Sequence, residues 1–158
     1  MESIVECVPN ISEGRDIEKI ERITNSIAKI PGCAVLGIEP DADYNRTVIT
    51  IAGRPESVEK AAFILISKAI DEIDMRVHHG EHPRLGSVDV CPFVPLRGVT
   101  MEQCSAMAIR LAEKVAEECR VPTYVYGEAA LHDDKKLLSN LKIEQTIAGG
   151  SVANSVVG

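Results

Sequence analysis

Residues 77 to 87 read VHHGEHPRLGS and hold three of the chain's four histidines, His78, His79 and His82, together with Glu81 and Arg84. Such a set can support three chemistries. An imidazole titrates near ~6.5, so one histidine can take a proton early in a reaction and return it later, and a carboxylate such as Glu81 can fix its tautomer. Arg84 and the backbone N–H groups of a glycine-bearing turn suit an anion, for instance a substrate carboxylate. His78 and His82 have the four-residue spacing of a metal pair on a helix. Gly80 and Pro83 disfavour a helix there, and no other Cys/His pair completes a ligand set, so no metal is expected. The bland alternative is a solvated turn with idle histidines. It is weakened by the turn's place between a long helix and a buried strand, where loops hold working groups.

Two further stretches carry polar groups at strand ends. CVPNISEGR offers Asn10, Ser12, Glu13 and Arg15 as a site or as a helix-capping turn. DADYNRTV places Asp41, Asp43, Asn45 and Arg46 at a hairpin, as a site or as a plain charged turn. A guanidinium at the start of a strand, as at Arg46, can grip a carboxylate bidentately. Glu39, near the end of the preceding strand, can orient an imidazole or a substrate.

The elements that must position these groups are legible as periodicities. SIVECVPN alternates as a strand ending at Pro9-Asn10, and Ile17, Ile20, Ile23, Ile27 and Ile30 recur at helical spacing behind Asp16, a candidate cap. CAVLGIEP and NRTVITIAG read as a β-hairpin joined by DADY. A helix starting near Pro55 carries Val58, Ala62, Leu65, Ile66 and Ala69 on one stripe. SVDVCPFVP suits a buried strand, TMEQCSAMAIRLAEKVAEECR a helix capped by Thr100, PTYVYG a short strand and LHDDKKLLSNLK a short polar helix. The order β-α-β-β-α-β-α-β-α predicts an α/β fold, an α+β sandwich with helices packed on a mixed β-sheet and split β-α-β units. Residues 1–145 form the expected domain, and 146–158 a tail of small, nearly uncharged residues.

Composition narrows the partners. The chain has 158 residues, enough to bury roughly 70% of its unfolded surface in one core. A net charge of −7 without a basic cluster argues against nucleic acid and anionic membranes. No run approaches the ~20 apolar residues of a membrane span, and a cytoplasmic location is expected. The cysteines number five and include no C-x-x-C pair, which predicts buried thiols rather than disulfides or a structural zinc site.

ECVPNISEGRD, NRTVIT, HHGEHPRLGSVDVCPFVP and VYGEAAL together resemble the N-terminal subdomain of glutamate formimidoyltransferase (glutamate formiminotransferase), the first part of formimidoyltransferase-cyclodeaminase in many animals. The similarity runs from about residue 3 to about residue 131. It implies transfer of the formimino group of N-formimino-L-glutamate to N5 of tetrahydrofolate, in histidine degradation and one-carbon metabolism. It also implies that His82, within GEHPR, matches the catalytic histidine. N5 must lose a proton on attack and the glutamate nitrogen must gain one on leaving, and one imidazole can serve both. The expected substrate and folate contacts, inferred from charge and position, are Glu39, Asn45, Arg46, Glu81, Arg84 and Asn10. The complete transferase holds folate between two subdomains, so a second-subdomain chain or partner is expected, with a homodimer as the default assembly. The alternative is a non-catalytic folate-binding or protein-interaction module built on the same subdomain.

Overall fold

The computed structural model describes residues 2–73, 87–121, 123–127 and 150–154. Glu81, His82 and Arg84 of the expected site, with His78 and His79, lie outside these residues, as does the expected helix at 131–142. The elements are β1 (Ile4–Cys7), β2 (Asn10–Ile11), α1 (Ile17–Asn25), β3 (Cys33–Asp41), β4 (Arg46–Gly53), α2 (Pro55–Glu72), β5 (Val88–Arg97), α3 (Met101–Glu118), β6 (Thr123–Gly127) and β7 (Gly150–Asn154).

The first strand does not end at Pro9-Asn10. It pauses there and resumes, because Pro9 has no N–H to give the ladder. The Pro9 carbonyl still accepts from Ile49 N–H at 3.0 Å, and Val8 N–H donates to Pro92 O at 3.1 Å. β1 and β2 thus act as one broken central strand, with β4 on one side and β5 on the other. β3 lies outside β4, and β7 and β6 extend the sheet beyond β5. Five residues of the segment set apart as a tail are therefore strand β7. The β3 strand returns beside β1 across the inserted β4, and β5 returns beside β4 across β1, so the split β-α-β units form the ferredoxin-like arrangement. Each crossover skips a strand, and every described ladder is accordingly antiparallel.

The helices start where the capping residues say. Asp16 accepts from Lys19 N–H at 3.1 Å, Pro55 opens α2, and Thr100 exchanges bonds with Gln103 in a capping box. α1 stops at Asn25 rather than continuing to Ile30, and the last residues of the isoleucine repeat lie in turns that still bury Ile27. α2 and α3 pack side by side on one face of the sheet, and α1 packs on α2. The shared core includes Val5, Cys7, Ile11, Ile49, Ile51 and Phe93 from the strands.

All five cysteines are free thiols; Cys7, Cys91 and Cys104 are buried, while Cys33 and Cys119 are partly exposed. The Cys7 and Cys91 sulfurs lie 3.4 Å apart across β1 and β5. Burial, with Cys91 beside it, pushes the Cys7 thiol well above the usual range, and burial also raises Cys104, Cys33 and Cys119. A thiol held above its ordinary range offers little thiolate at neutral pH. Titration of the native protein with a disulfide reagent is therefore expected to leave Cys7, Cys91 and Cys104 unreacted and to find all five after denaturation. Rapid reaction of all five before denaturation would contradict this core.

Candidate functional site

The sheet face opposite the helices carries no described helix, and its residues follow from strand alternation. On β4, Thr47, Ile49 and Ile51 point into the core, so Arg46, Val48, Thr50 and Ala52 point to the open face. On β2, Ile11 is buried and Asn10 faces the other way. The register places Glu39 of β3 opposite Val48, Val48 opposite Asn10, and Asn10 opposite Val90 of β5. One cross-strand row, Glu39–Val48–Asn10–Val90, thus runs over the open face, with Arg46 two positions along β4 from Val48.

Two irregularities build this row. Val35 of β3 faces the core opposite Ile51, and unbroken alternation would turn Glu39 the same way. A bulge between Val35 and Gly37 shifts the register, so that Gly37 meets Thr50 and Glu39 meets Val48 on the open face. On β5, a second shift lets Val88 pair with Ile11 in the core while Val90 pairs with Asn10.

The rim at this end of the sheet is built by the loop after β2 and the β3–β4 turn. Glu13 accepts from the N–H groups of Arg15 and Asp16, each at 3.1 Å, and pairs with Lys19 at 3.4 Å. CVPNISEGR therefore shapes the approach to α1, whose cap is the next residue, Asp16. Its reach goes further: Gly14 N–H donates to Asn45 Oδ1 at 2.9 Å, Arg15 Nε donates to Ala42 O at 2.7 Å, and Thr47 Oγ1 donates to Glu13 O. The turn is also held internally, with Asp41 Oδ1 accepting from Asp43 and Tyr44 N–H at 3.0 and 3.2 Å. Ser12 N–H donates to Ser87 O at 2.8 Å, and Ser87 Oγ donates to Ile73 O at 3.3 Å. Ile73 and Ser87, the two described residues flanking the histidine-bearing stretch, are thus tied to each other and to this rim.

Of the expected contacts, the structure brings Asn10, Glu39 and Arg46 onto one face and places Asn45 differently. Asn45 is buried, with its side-chain oxygen taken by Gly14. Arg46 lies with its guanidinium carbon 5.4 Å from the Tyr44 ring centroid, and forms no ion pair with a described residue. Its charge is available to an anion. Gly14 and Thr47 were not singled out by sequence, because nothing in a single sequence separates a glycine in close backbone contact from an ordinary loop glycine. No group of three or more His, Cys, Asp or Glu placed to hold a metal occurs among the described residues. No described helix is long and apolar enough to cross a membrane.

Fold and rim together define an α/β unit whose open sheet face bears a guanidinium, a carboxylate and an amide, with Ser87, the described residue that follows the histidine-bearing stretch in sequence, tied to the rim. Residues 4–149 match the family described as "Formiminotransferase domain, N-terminal subdomain", and the chain belongs to that family. It is 47% identical over 142 residues to the formimidoyltransferase-cyclodeaminase of Sus scrofa, covering 90% of this chain and 26% of that protein. It is 44% identical over 140 residues to the glutamate formimidoyltransferase of Thermoplasma acidophilum, covering 89% of this chain and 46% of that protein. With the glutamate formimidoyltransferase of Streptococcus pyogenes serotype M1 the figures are 39% over 142 residues, 90% and 48%. The chain thus spans about a quarter of the length of the animal relative and just under half of the microbial ones.

Proposed function

We propose that this chain supplies the proton-transfer half of a formimino-transfer site, moving the formimino group of N-formimino-L-glutamate to N5 of tetrahydrofolate. What carries the reading is the row of Asn10, Glu39 and Arg46 on an open face in a chain whose relatives are named for this transfer. N5 attacks the formimino carbon and sheds its proton to His82. The bond from that carbon to the glutamate nitrogen then breaks as His82 returns the proton to the leaving amine, so the proton inventory closes on one imidazole. Arg46 holds a glutamate carboxylate as a planar two-point donor, with Arg84 as a second cation and Glu81 orienting the histidine. Asn10 offers hydrogen bonds to the edge of the pteridine ring, Val48 and Val90 an apolar bed beneath it, and Glu39 an acceptor for its N–H groups.

The other wall of the site comes from a second subdomain, on a separate chain or a further part of the same polypeptide. The reaction belongs to histidine breakdown and one-carbon metabolism in the cytoplasm, with a homodimer as the working assembly. An open half-site lacks the positioning that speeds such a step. The test is to assay the chain alone and mixed with the part of the Thermoplasma acidophilum relative beyond the matched half, following 5-formimino-tetrahydrofolate by absorbance. Turnover in the mixture, whether or not the chain turns over alone, is the expected result. Folate binding without turnover in either sample would replace this reading by the non-catalytic module, and neither binding nor turnover would leave a protein-interaction domain.

A further inference from the structure

We propose that Asn45 is a positioning residue for Arg46, setting the direction in which this guanidinium leaves the start of β4; the inference rests on the reading of Arg46 as the substrate's carboxylate grip. Asn45 is the residue immediately before β4 and has φ 53°, in the left-handed region that side-chain-bearing residues seldom adopt and Asn tolerates best. A turn residue chosen only for that backbone angle would be free to face water. Asn45 is instead buried, and its Oδ1 receives the Gly14 N–H at 2.9 Å.

The same loop grips the residues on either side. A Cβ on Gly14 would stand 2.6 Å from both the N and the O of Arg46, so the Gly14 backbone lies directly against the Arg46 peptide. Thr47, buried on the far side, donates its hydroxyl to Glu13 O. Glu13 is held in turn by Arg15 N–H, Asp16 N–H and Lys19. Three successive residues, Asn45 to Thr47, are thus stapled to Glu13 and Gly14, while the Arg46 guanidinium lies over the Tyr44 ring and forms no ion pair with a described residue. A fixed backbone carries a cation that no described carboxylate neutralises. Two parallel N–H···O bonds to a carboxylate tolerate only about 10–20° of misalignment, so the staple preserves the grip without touching the ligand.

Calorimetric titration with N-formimino-L-glutamate, and with glutarate as a bare dicarboxylate, tests this on the chain with and without its complementing half. Asn45→Gly retains the backbone angle and removes the acceptor. It is expected to weaken binding about tenfold, within the range of measured couplings. In an Arg46→Gln background the same change is expected to leave affinity where Arg46→Gln alone puts it. Thr47→Val, which releases the other flank, should show the same dependence on Arg46 and serves if Asn45→Gly does not fold. Equal weakening by Asn45→Gly and Thr47→Val in both backgrounds, or none in either, would overturn the positioning role while leaving Arg46 as the grip. No binding by the parent, or full affinity in Arg46→Gln, would remove the grip itself and this inference with it.

Discussion

Replacing His82 by alanine is expected to lower formimino transfer by about 10²- to 10⁴-fold, the range that one general acid–base side chain supplies. The expectation follows from counting protons. Attack by N5 leaves a cationic nitrogen that must shed a proton before the adduct can progress, and the glutamate amine is a poor leaving group until protonated. Water can perform both transfers, but slowly and without alignment. The loss should therefore fall on kcat, with the dissociation constant for N-formimino-L-glutamate within about twofold of the parent, because the proposed site assigns that ligand's carboxylates to Arg46 and Arg84 rather than to the histidine. His78→Ala and His79→Ala, which lie off the GEHPR position, are the controls and should retain most of the rate. Undiminished turnover in His82→Ala, measured in the complemented assay, would take the proton relay away from this residue.

The second large effect is on stability. Phe93 is the largest fully buried side chain among the described residues, and it faces Cys7 across β5 and β1 in the middle of the sheet. The chain has two phenylalanines and no tryptophan, and Phe63 is only partly buried, with Lys114 Nζ 4.3 Å above its ring. No second aromatic ring is buried with Phe93 among the described core residues. Phe93→Ala is expected to cost about 3–5 kcal/mol, the transfer term plus the cavity left among residues held by strand register. Against a total of about 5–15 kcal/mol, that change should move the urea midpoint strongly at unchanged slope. A shift below about 1 kcal/mol would mean that the neighbouring strands collapse into the gap. Phe93→Leu, which retains most of the volume, should recover the greater part of the loss.

The helices, the hairpin and the strand at residues 87–95 were legible because each has a period, a cap or a breaker: Asp16, Pro55 and Thr100 each begin a helix. Three features were not legible, and for one reason. The resumption of the first strand after Pro9, the turning of Glu39 to the open face, and the strand at Gly150–Asn154 all depend on what a neighbouring strand offers. A bulge costs one residue of register and leaves no mark in composition. The same holds for Asn45, which by type belongs equally to a turn, a binding site or a staple. Only the meeting of Gly14 with the β3–β4 turn decides among these. Arg46, Asn10 and Glu39 were recognisable as candidates, but that they share a face is a statement about ladder partners.

The broken central strand also governs how fast the molecule can assemble. β1 and β2 precede the other described strands in sequence, yet Cys7 is matched by Ile51 and Phe93, and Asn10 by Val48 and Val90. Neither edge can be closed until β4 and β5 exist, and β5 follows the whole of α2. The local hairpin β3–β4 and helix α2 can form early, but the chain entropy of threading the first strand between two later ones must be met before the core rewards it. Refolding is therefore expected in milliseconds or longer rather than microseconds, and a nascent chain ending within α2 exposes an apolar strand with half its partners unmade.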